Sequence, residues 1–231
     1  MADATRRKFL YGTALATSGL MVPAAFAFQQ KTPGEDEEVE VTPTEDLMRE
    51  HGLLNRVLLI YEESVRRLSS KGDLDPKVLA DSAGIIKNFI ENYHEKLEEN
   101  YLFPRFEKAG KLTELVAVLR QQHQAGRGLT SRIQQLATAA AIKNAGDRQT
   151  MVTSLREFIH MYRPHEARED TVLFPALHHI VSAHEFGSLG EEFERKEHEL
   201  FGKEGFEGMV DKVAGLEKRL GIYDLAQFTP K

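Results

Sequence analysis

Two histidine–glutamate pairs with the same spacing are the residues of this sequence best suited to chemistry. His94 and Glu98 form the first pair, and His165 and Glu169 repeat it 71 positions later. In both places the glutamate is followed four residues on by Leu-Phe-Pro. Side chains at i and i+4 lie one above the other on a helix, with Cβ atoms about 5–6 Å apart. Each pair could therefore offer an imidazole nitrogen and a carboxylate oxygen to one metal ion.

An unpaired histidine precedes each pair by a similar distance. His51 lies 43 residues before His94, and His123 lies 42 residues before His165. The chain therefore contains two half-sites of matching order, which predicts a symmetric centre for two metal ions inside a bundle of helices. The glutamate of each half would then face both ions and bridge them.

The helices that must position these residues follow from the apolar pattern. Apolar residues recur at helical spacing in four long segments, at about 45–70, 76–103, 113–142 and 148–180. Thr44 would cap the first segment, and Pro164 would kink the fourth just before His165. We therefore predict an all-α protein without strands. Residues 44–181 would form an up-down-up-down four-helix bundle, with an additional C-terminal helical segment at 182–231 packed on it.

The C-terminal segment and the two Leu-Phe-Pro tripeptides carry weaker patterns. Ser182 and Glu185 resemble a capping box, but two glycines interrupt the sequence that follows. We predict a helix from about 191 to 220, broken by further glycines at 202, 205 and 208. The Leu-Phe-Pro tripeptides are predicted to end their helices, with phenylalanine rings that keep the site dry.

Composition excludes several classes of site and partner. The 231 residues include no cysteine, which excludes disulfides, thiolate zinc sites, iron–sulfur clusters and covalent haem attachment. Any metal must be held by nitrogen and oxygen. Without residues 1–27 the chain keeps 27 basic and 35 acidic residues, a net charge of −8. Such a surface disfavours nucleic acid and anionic membranes as partners.

The first 27 residues are typical of an export signal. Arg6 and Arg7 resemble the twin-arginine (Tat) motif, an apolar stretch follows them, and Ala25 and Ala27 fit a small-x-small cleavage site. The alternative is a membrane anchor, but the stretch is interrupted by Gly, Thr, Ser and Pro. We expect export to the periplasm by the Tat machinery, cleavage after Ala27 and no stable membrane span in the mature form. The acidic residues 28–43 would form a flexible linker.

A second metal pattern competes with the first. Ferritin-like centres use Glu-x-x-His on two helices, a string matched by Glu91 with His94 and by Glu157 with His160. These two strings are out of register by five residues relative to the Leu-Phe-Pro tripeptides, whereas the His-x-x-x-Glu pairs are in register. The i, i+4 pairs are therefore favoured.

The remaining histidines and two glutamates are weaker candidates. We expect four histidines at the surface or beside the site, namely His160, His178, His179 and His184. His198 lies in a charged run and is an outside candidate for a further ligand. Glu95 and Glu166 directly follow ligand histidines, so they point about 100° away and should lie behind the ligands or face solvent.

Together these residues resemble the hemerythrin-like family, specifically its histidine–histidine–glutamate (HHE) cation-binding branch. The resemblance covers about residues 44–180 and implies a four-helix bundle with a non-haem di-iron centre. Carried over position by position, the implied metal ligands are His51, His94, Glu98, His123, His165 and Glu169. The implied cofactor is two iron ions, with manganese and zinc as alternatives that nitrogen and oxygen ligands also suit.

One position departs from the family pattern. Oxygen-carrying members have a fifth histidine four residues after the third-helix ligand, where this sequence has Arg127. One nitrogen ligand fewer implies open positions on the ions and a site less suited to simple oxygen carriage. Arg127 could stabilise a bound anion, or it could point to solvent.

The resemblance and the ligand pattern predict a non-haem di-iron protein for storage, scavenging or sensing. Its ligand would be dioxygen, peroxide, nitric oxide or iron itself. The alternative is an enzyme acting on peroxide, oxygen or nitric oxide, which would need an electron donor that the sequence does not identify. A third interpretation is a structural bundle that binds adventitious metal. It predicts that alanine at Glu98 and Glu169 would change neither metal content nor folding.

Overall fold

A computed structural model describes residues 41–230, and within them helices account for all regular structure. The first four long helices are α1 (Pro43–Ser69), α2 (76–109), α3 (Thr113–Leu136) and α4 (145–177). Two more follow, α5 (Ala183–Phe201) and α6 (Gly205–Leu220). No strand occurs in the described part of the chain, which confirms the all-α prediction. The predicted signal peptide and most of the predicted linker lie outside the described residues.

The first four helices enclose one apolar core. α1 packs against α2 and α4, and α3 packs against the same two helices. The interior is rich in aromatic rings, and Tyr61, Phe89 and Phe158 are fully buried in it. α5 and α6 pack against α1, where Phe193 and Val213 extend the same core. The up-down-up-down order of the four helices stays a prediction. Within residues 41–230, no helix combines the length and apolarity needed to cross a membrane.

Side-chain caps set where the first and fourth helices begin. Thr42 Oγ1 accepts a hydrogen bond from Glu45 N at 3.2 Å, and Pro43 is the first helical residue. Proline suits that position because its missing N–H would have no partner there. The prediction that Thr44 caps α1 was therefore wrong. Asn144 caps α4 by accepting from two backbone N–H groups, so this helix begins earlier than the predicted residue 148.

Capping also explains the differences around α3 and α5. α3 ends at Leu136 rather than near 142, because Thr138 caps a separate short helix, Ala139–Lys143. Ser182 Oγ accepts from Glu185 N at 3.2 Å, and α5 begins directly after it instead of near 191. The two glycines that were expected to interrupt this stretch lie within the helix. The break predicted near 202–208 occurs as a short 3₁₀ turn at Gly202–Glu204.

α2 and α4 contain π-helical stretches where they carry the predicted ligands. These stretches are Ile86–His94 and Glu98–Leu102 in α2 and Glu169–Leu173 in α4. In a π-helix each N–H bonds to the carbonyl five residues earlier, which shifts the side chains that follow around the helix axis, and such stretches are common at functional sites. Glu98 and Glu169 each begin one, at equivalent points of the repeat.

The Leu-Phe-Pro tripeptides do not both end a helix. After the first, α2 returns to α-helix and continues to Ala109, where Gly110 with φ of 61° ends it. After the second, α4 ends within one turn, at Leu177. α4 also runs as α-helix through Pro164.

Candidate metal centre

The six predicted ligands lie together inside the first four helices, and each side chain is almost completely buried. Their donor atoms form two overlapping clusters, within which all atoms lie within 4.8 Å of one another. The first half-site comprises His51 of α1 with His94 and Glu98 of α2, and the second comprises His123 of α3 with His165 and Glu169 of α4.

Glu98 belongs to both clusters. Its Oε2 atom is 3.7 Å from His94 Nε2 in its own half-site and 3.4 Å from His123 Nε2 in the other. Glu169 has the equivalent arrangement, with Oε2 3.1 Å from His165 Nε2 and 3.4 Å from His51 Nε2. Because each carboxylate contacts one imidazole of each half-site, both carboxylates are placed where they could bridge two ions.

The two carboxylates lack the partners that buried charges normally have. Neither Glu98 nor Glu169 is exposed, and none of their four oxygens has a hydrogen-bond partner among the described residues. An uncompensated buried carboxylate costs several kcal/mol. Two donor atoms that bind one ion at about 2.1 Å, with an angle of about 90° between the two bonds, lie about 3 Å apart. The observed nitrogen–oxygen distances come close to that value, so the residues fit a metal centre.

The outward-facing nitrogens of the first half-site are held by carboxylates. His51 Nδ1 donates to Asp170 Oδ1 at 2.7 Å, and His94 Nδ1 donates to Glu50 Oε2 at 2.6 Å. A carboxylate oxygen accepts, so Nδ1 carries the proton and the lone pair of Nε2 points into the centre. This arrangement fixes the ring and increases the basicity of the nitrogen that would bind metal.

The second half-site repeats this arrangement with different residue types. His123 Nδ1 donates to Glu99 Oε1 at 3.1 Å, and His165 Nδ1 donates to the amide oxygen of Gln122 at 2.8 Å. Glu99 corresponds to Asp170 in the repeat. Hence all four imidazoles present Nε2 to the same buried space.

Burial and neighbouring charges move the pKa values of the ligands far from their ordinary range. Burial raises the pKa of Glu98 to about 7, and the Glu169 carboxylate adds to that effect. Burial lowers the pKa of His94 to about 4. Burial also acts to lower the pKa of His123, but the neighbouring Glu98 carboxylate and the hydrogen bond to Glu99 prevail and raise it to about 10. Without a metal, these groups compete for a small number of protons.

A further carboxylate lies behind the ligands in each half. Glu95 follows His94 and is 1% exposed. It accepts from Arg127 at 2.7 Å and from the Tyr162 hydroxyl at 2.7 Å, and Arg127 also bonds Glu99 at 2.5 Å. The guanidinium of Arg127 is therefore bound by two carboxylates of the protein rather than pointing to solvent, and a role toward a bound anion stays a prediction.

Glu166 is the counterpart of Glu95 in the second helix pair. It follows His165, is 2% exposed and accepts a hydrogen bond from Asn55 Nδ2. Burial raises the pKa of Glu166 to about 8. Both of these glutamates therefore lie behind the ligands, and neither faces solvent.

Phenylalanine rings from the Leu-Phe-Pro tripeptides cover the centre. Phe174 stacks on His51 with ring centroids 5.4 Å apart, and Phe103 stacks on His123 at 5.5 Å. Both phenylalanines are fully buried. The rings therefore lie directly against two of the histidines, and their role in keeping the site dry stays a prediction.

Comparison with known sequences also points to cation binding. Residues 42–177 match the family described as the hemerythrin HHE cation-binding domain. The chain belongs to the hemerythrin HHE family. It is also 48% identical to uncharacterised proteins of Mycobacterium tuberculosis (strain H37Rv) and Mycobacterium bovis, over 98% of this chain and 92% of each relative. No solved structure matches the chain.

The other candidate residues lie outside the centre of this HHE domain. Five histidines are exposed, namely His160, His178, His179, His184 and His198. The outside candidate His198 is therefore not a further ligand in this structure. The competing ferritin-like string is not assembled either, because Glu157 is exposed and Glu91 bonds Lys87 Nζ at 2.8 Å.

The residues that orient the HHE histidines were not predicted from the sequence. These are Glu50, Glu99, Gln122 and Asp170, with Asn55 behind them. A usable signal was present, because each of the first four directly precedes or follows a ligand at equivalent points of the repeat. Comparing the residues that flank the ligands in the two halves would have found them.

Proposed function

We propose that this HHE protein binds two iron ions between its half-sites and there binds dioxygen or a related small ligand, such as peroxide or nitric oxide. Its role would be storage, scavenging or sensing, of that ligand or of iron itself. One observation carries the proposal: Glu98 and Glu169, buried and with unpartnered oxygens, lie between imidazoles of both half-sites. Two cations at this place would neutralise the carboxylates and use every Nε2 atom.

The donor set supports iron as the bound metal. Four imidazoles and two carboxylates, with no thiolate anywhere in the chain, suit iron and manganese, and zinc binds similar sites. Six ligand side chains shared by two ions leave coordination positions that a small molecule could take. The stacked Phe103 and Phe174 rings would keep bulk water from those positions.

The proposed compartment rests on the N-terminal residues. Arg6 and Arg7 followed by an apolar stretch support recognition by the Tat machinery, which exports folded proteins. That route would allow the metal to be inserted before export. The mature protein would then act in the periplasm.

A second candidate is an enzyme acting on peroxide, oxygen or nitric oxide. The pair formed by Tyr162 and Glu95 favours it, because a phenol hydrogen-bonded to a buried carboxylate stands next to the centre. The Tyr162 ring centroid is 5.4 Å from that of His165. The pair could hold or move a proton close to a reacting ligand. The iron would supply the redox chemistry, and an external electron donor would still be required.

The first experiment is an iron titration followed by exposure to oxygen. Metal-free protein loaded anaerobically with iron should bind two ions per chain. An absorption band that develops with oxygen and fades under argon would support reversible binding, whereas a permanent change would favour the enzyme. The variant with alanine at both Glu98 and Glu169 should bind at most one ion per chain, and it should bind that ion weakly. Unchanged iron content in that variant would favour the structural bundle with adventitious metal.

A further inference from the structure

The surroundings of the two half-sites match in position but differ in charge. Glu50 and Gln122 each directly precede a ligand histidine and accept from the histidine of the neighbouring helix. At this position the first half-site has a carboxylate, and the second has a neutral amide. The backbone geometry is therefore repeated, whereas the electrostatic environment is not.

At a second pair of equivalent positions, the second half-site again has the less negative side chain. Asn55 lies four residues after His51, and Arg127 lies four residues after His123. Asn55 bonds Glu166, and Arg127 bonds Glu95, so each bonds a buried glutamate of the other helix pair. Arg127 also neutralises Glu99, the partner of His123. Asp170, the corresponding partner of His51, has no ion pair with a lysine or arginine in the described part of the chain.

Glu50 also belongs to a larger acidic group. Its carboxylate lies within 4.8 Å of those of Asp46 and Glu197, and all three are buried. Arg49 ion-pairs with Asp46 at 3.9 Å. The first half-site thus has carboxylates, Glu50 and Asp170, at the two positions where the second has the neutral amide of Gln122 and the arginine-paired Glu99.

We propose that the two metal positions are not equivalent, and that the first half-site binds its ion more tightly and keeps it when only one ion is available. This inference rests on the proposed two-ion function. An anionic partner increases the donor strength of the ligated imidazole and attracts the cation directly, effects that commonly change metal affinity 10- to 100-fold. Glu50 and Asp170 act here as positioning residues, because they reach the metal only through His94 and His51.

The proposal is tested by titrating metal-free full-length protein with Co²⁺ and following its visible absorption. The wild type should bind two ions in two steps, with dissociation constants that differ roughly 10-fold or more. His123→Ala disables the second half-site and should keep the tighter step. His51→Ala disables the first and should keep only the weaker one. The reverse assignment would overturn the proposal.

A matched exchange separates charge from geometry. Glu50→Gln should weaken the tighter step roughly 10-fold, and Gln122→Glu should strengthen the weaker step by a similar factor. If neither substitution moves either step, the proposal is wrong. Far-ultraviolet circular dichroism of the metal-free variants checks folding. If a variant does not fold, anomalous diffraction from wild-type crystals grown with one equivalent of Co²⁺ locates the first ion directly.

The outcomes distinguish this inference from the proposed function. Fewer than two ions bound by the wild type would contradict the two-ion centre itself. Two ions bound with equal affinity, or in the opposite order, would leave the two-ion centre intact and overturn only the inequivalence.

Discussion

Gly126 of α3 leaves the space that the Tyr162 hydroxyl of α4 occupies, since a Cβ built at position 126 would lie 2.1 Å from that oxygen. The tyrosine can therefore lie against the backbone of α3 and donate to Glu95. Glycine inside a helix costs about 0.5–1 kcal/mol relative to alanine. Its presence here is explained by the ring that passes over it.

Gly126→Ala should therefore lower the free energy of unfolding, although alanine is the better helix former. Overpacking of a filled core costs about 1–3 kcal/mol, which exceeds the gain in helix propensity. Gly128→Ala is the matched control, because a Cβ there meets nothing within 4 Å and should be neutral or stabilising. Urea unfolding of both metal-free variants measures the difference. Equal stability of the two would contradict the close approach.

Much of the candidate site could be predicted from the sequence because its candidate ligands follow two short rules of spacing. His94 and Glu98 lie at i, i+4, and His165 and Glu169 repeat them, so local helix geometry places each pair on one face. The upstream histidine His51 followed from its equivalent place in the repeat. A repeat converts a weak local pattern into a long-range prediction, because both halves must meet across the same core.

The residue that orients His94, the π-helical stretch and the start of α1 could not be predicted from the local sequence pattern. Glu50 reaches His94 from another helix, so only the packing of α1 on α2 shows that it orients a ligand. The π-helical stretch that begins at Glu98 was likewise not predicted from the sequence. The start of α1 was missed because Thr42 and Thr44 are both good caps, and Pro43 decides between them.

Glu98→Gln should weaken metal binding without destabilising the metal-free fold. The pKa of Glu98 is raised by burial to about 7, so the ionised form destabilises the metal-free fold fully above that pH. At pH 8 the neutral amide should therefore make the metal-free protein as stable as the wild type or more stable, by about 1–3 kcal/mol. The increase in Tm on adding Zn²⁺ should become much smaller than in the wild type. Glu157→Gln, at an exposed position, should change neither quantity.

Metal affinity should increase with pH. In the metal-free protein the pKa of Glu98 is about 7 and that of His123 about 10, so below pH 7 both groups carry protons that an ion must displace. For each proton that metal binding releases, the metal affinity increases by up to about tenfold per pH unit. Calorimetric Zn²⁺ titrations at pH 6 and pH 8, in buffers of different ionisation enthalpy, count these protons. An affinity independent of pH would show that the ligands are already deprotonated.

Arg127→Gln should destabilise the metal-free protein far more than removal of an ordinary surface arginine. Arg127 pairs with the buried Glu95 at 2.7 Å and with Glu99 at 2.5 Å, and Lys96 also pairs with Glu99. Stranding a buried carboxylate costs on the order of 3 kcal/mol. Arg132→Gln is the control, since Arg132 is exposed on the same helix.

The double variant Arg127→Gln with Glu95→Gln identifies the source of that loss. If the cost arises from the stranded charge of Glu95, neutralising the glutamate should recover more than half of the stability lost in Arg127→Gln. The Tyr162 hydroxyl can still donate to the new amide oxygen, so the second hydrogen bond of the network survives. If the double variant is no more stable than the single one, Arg127 stabilises the bundle through its packing or through Glu99 instead.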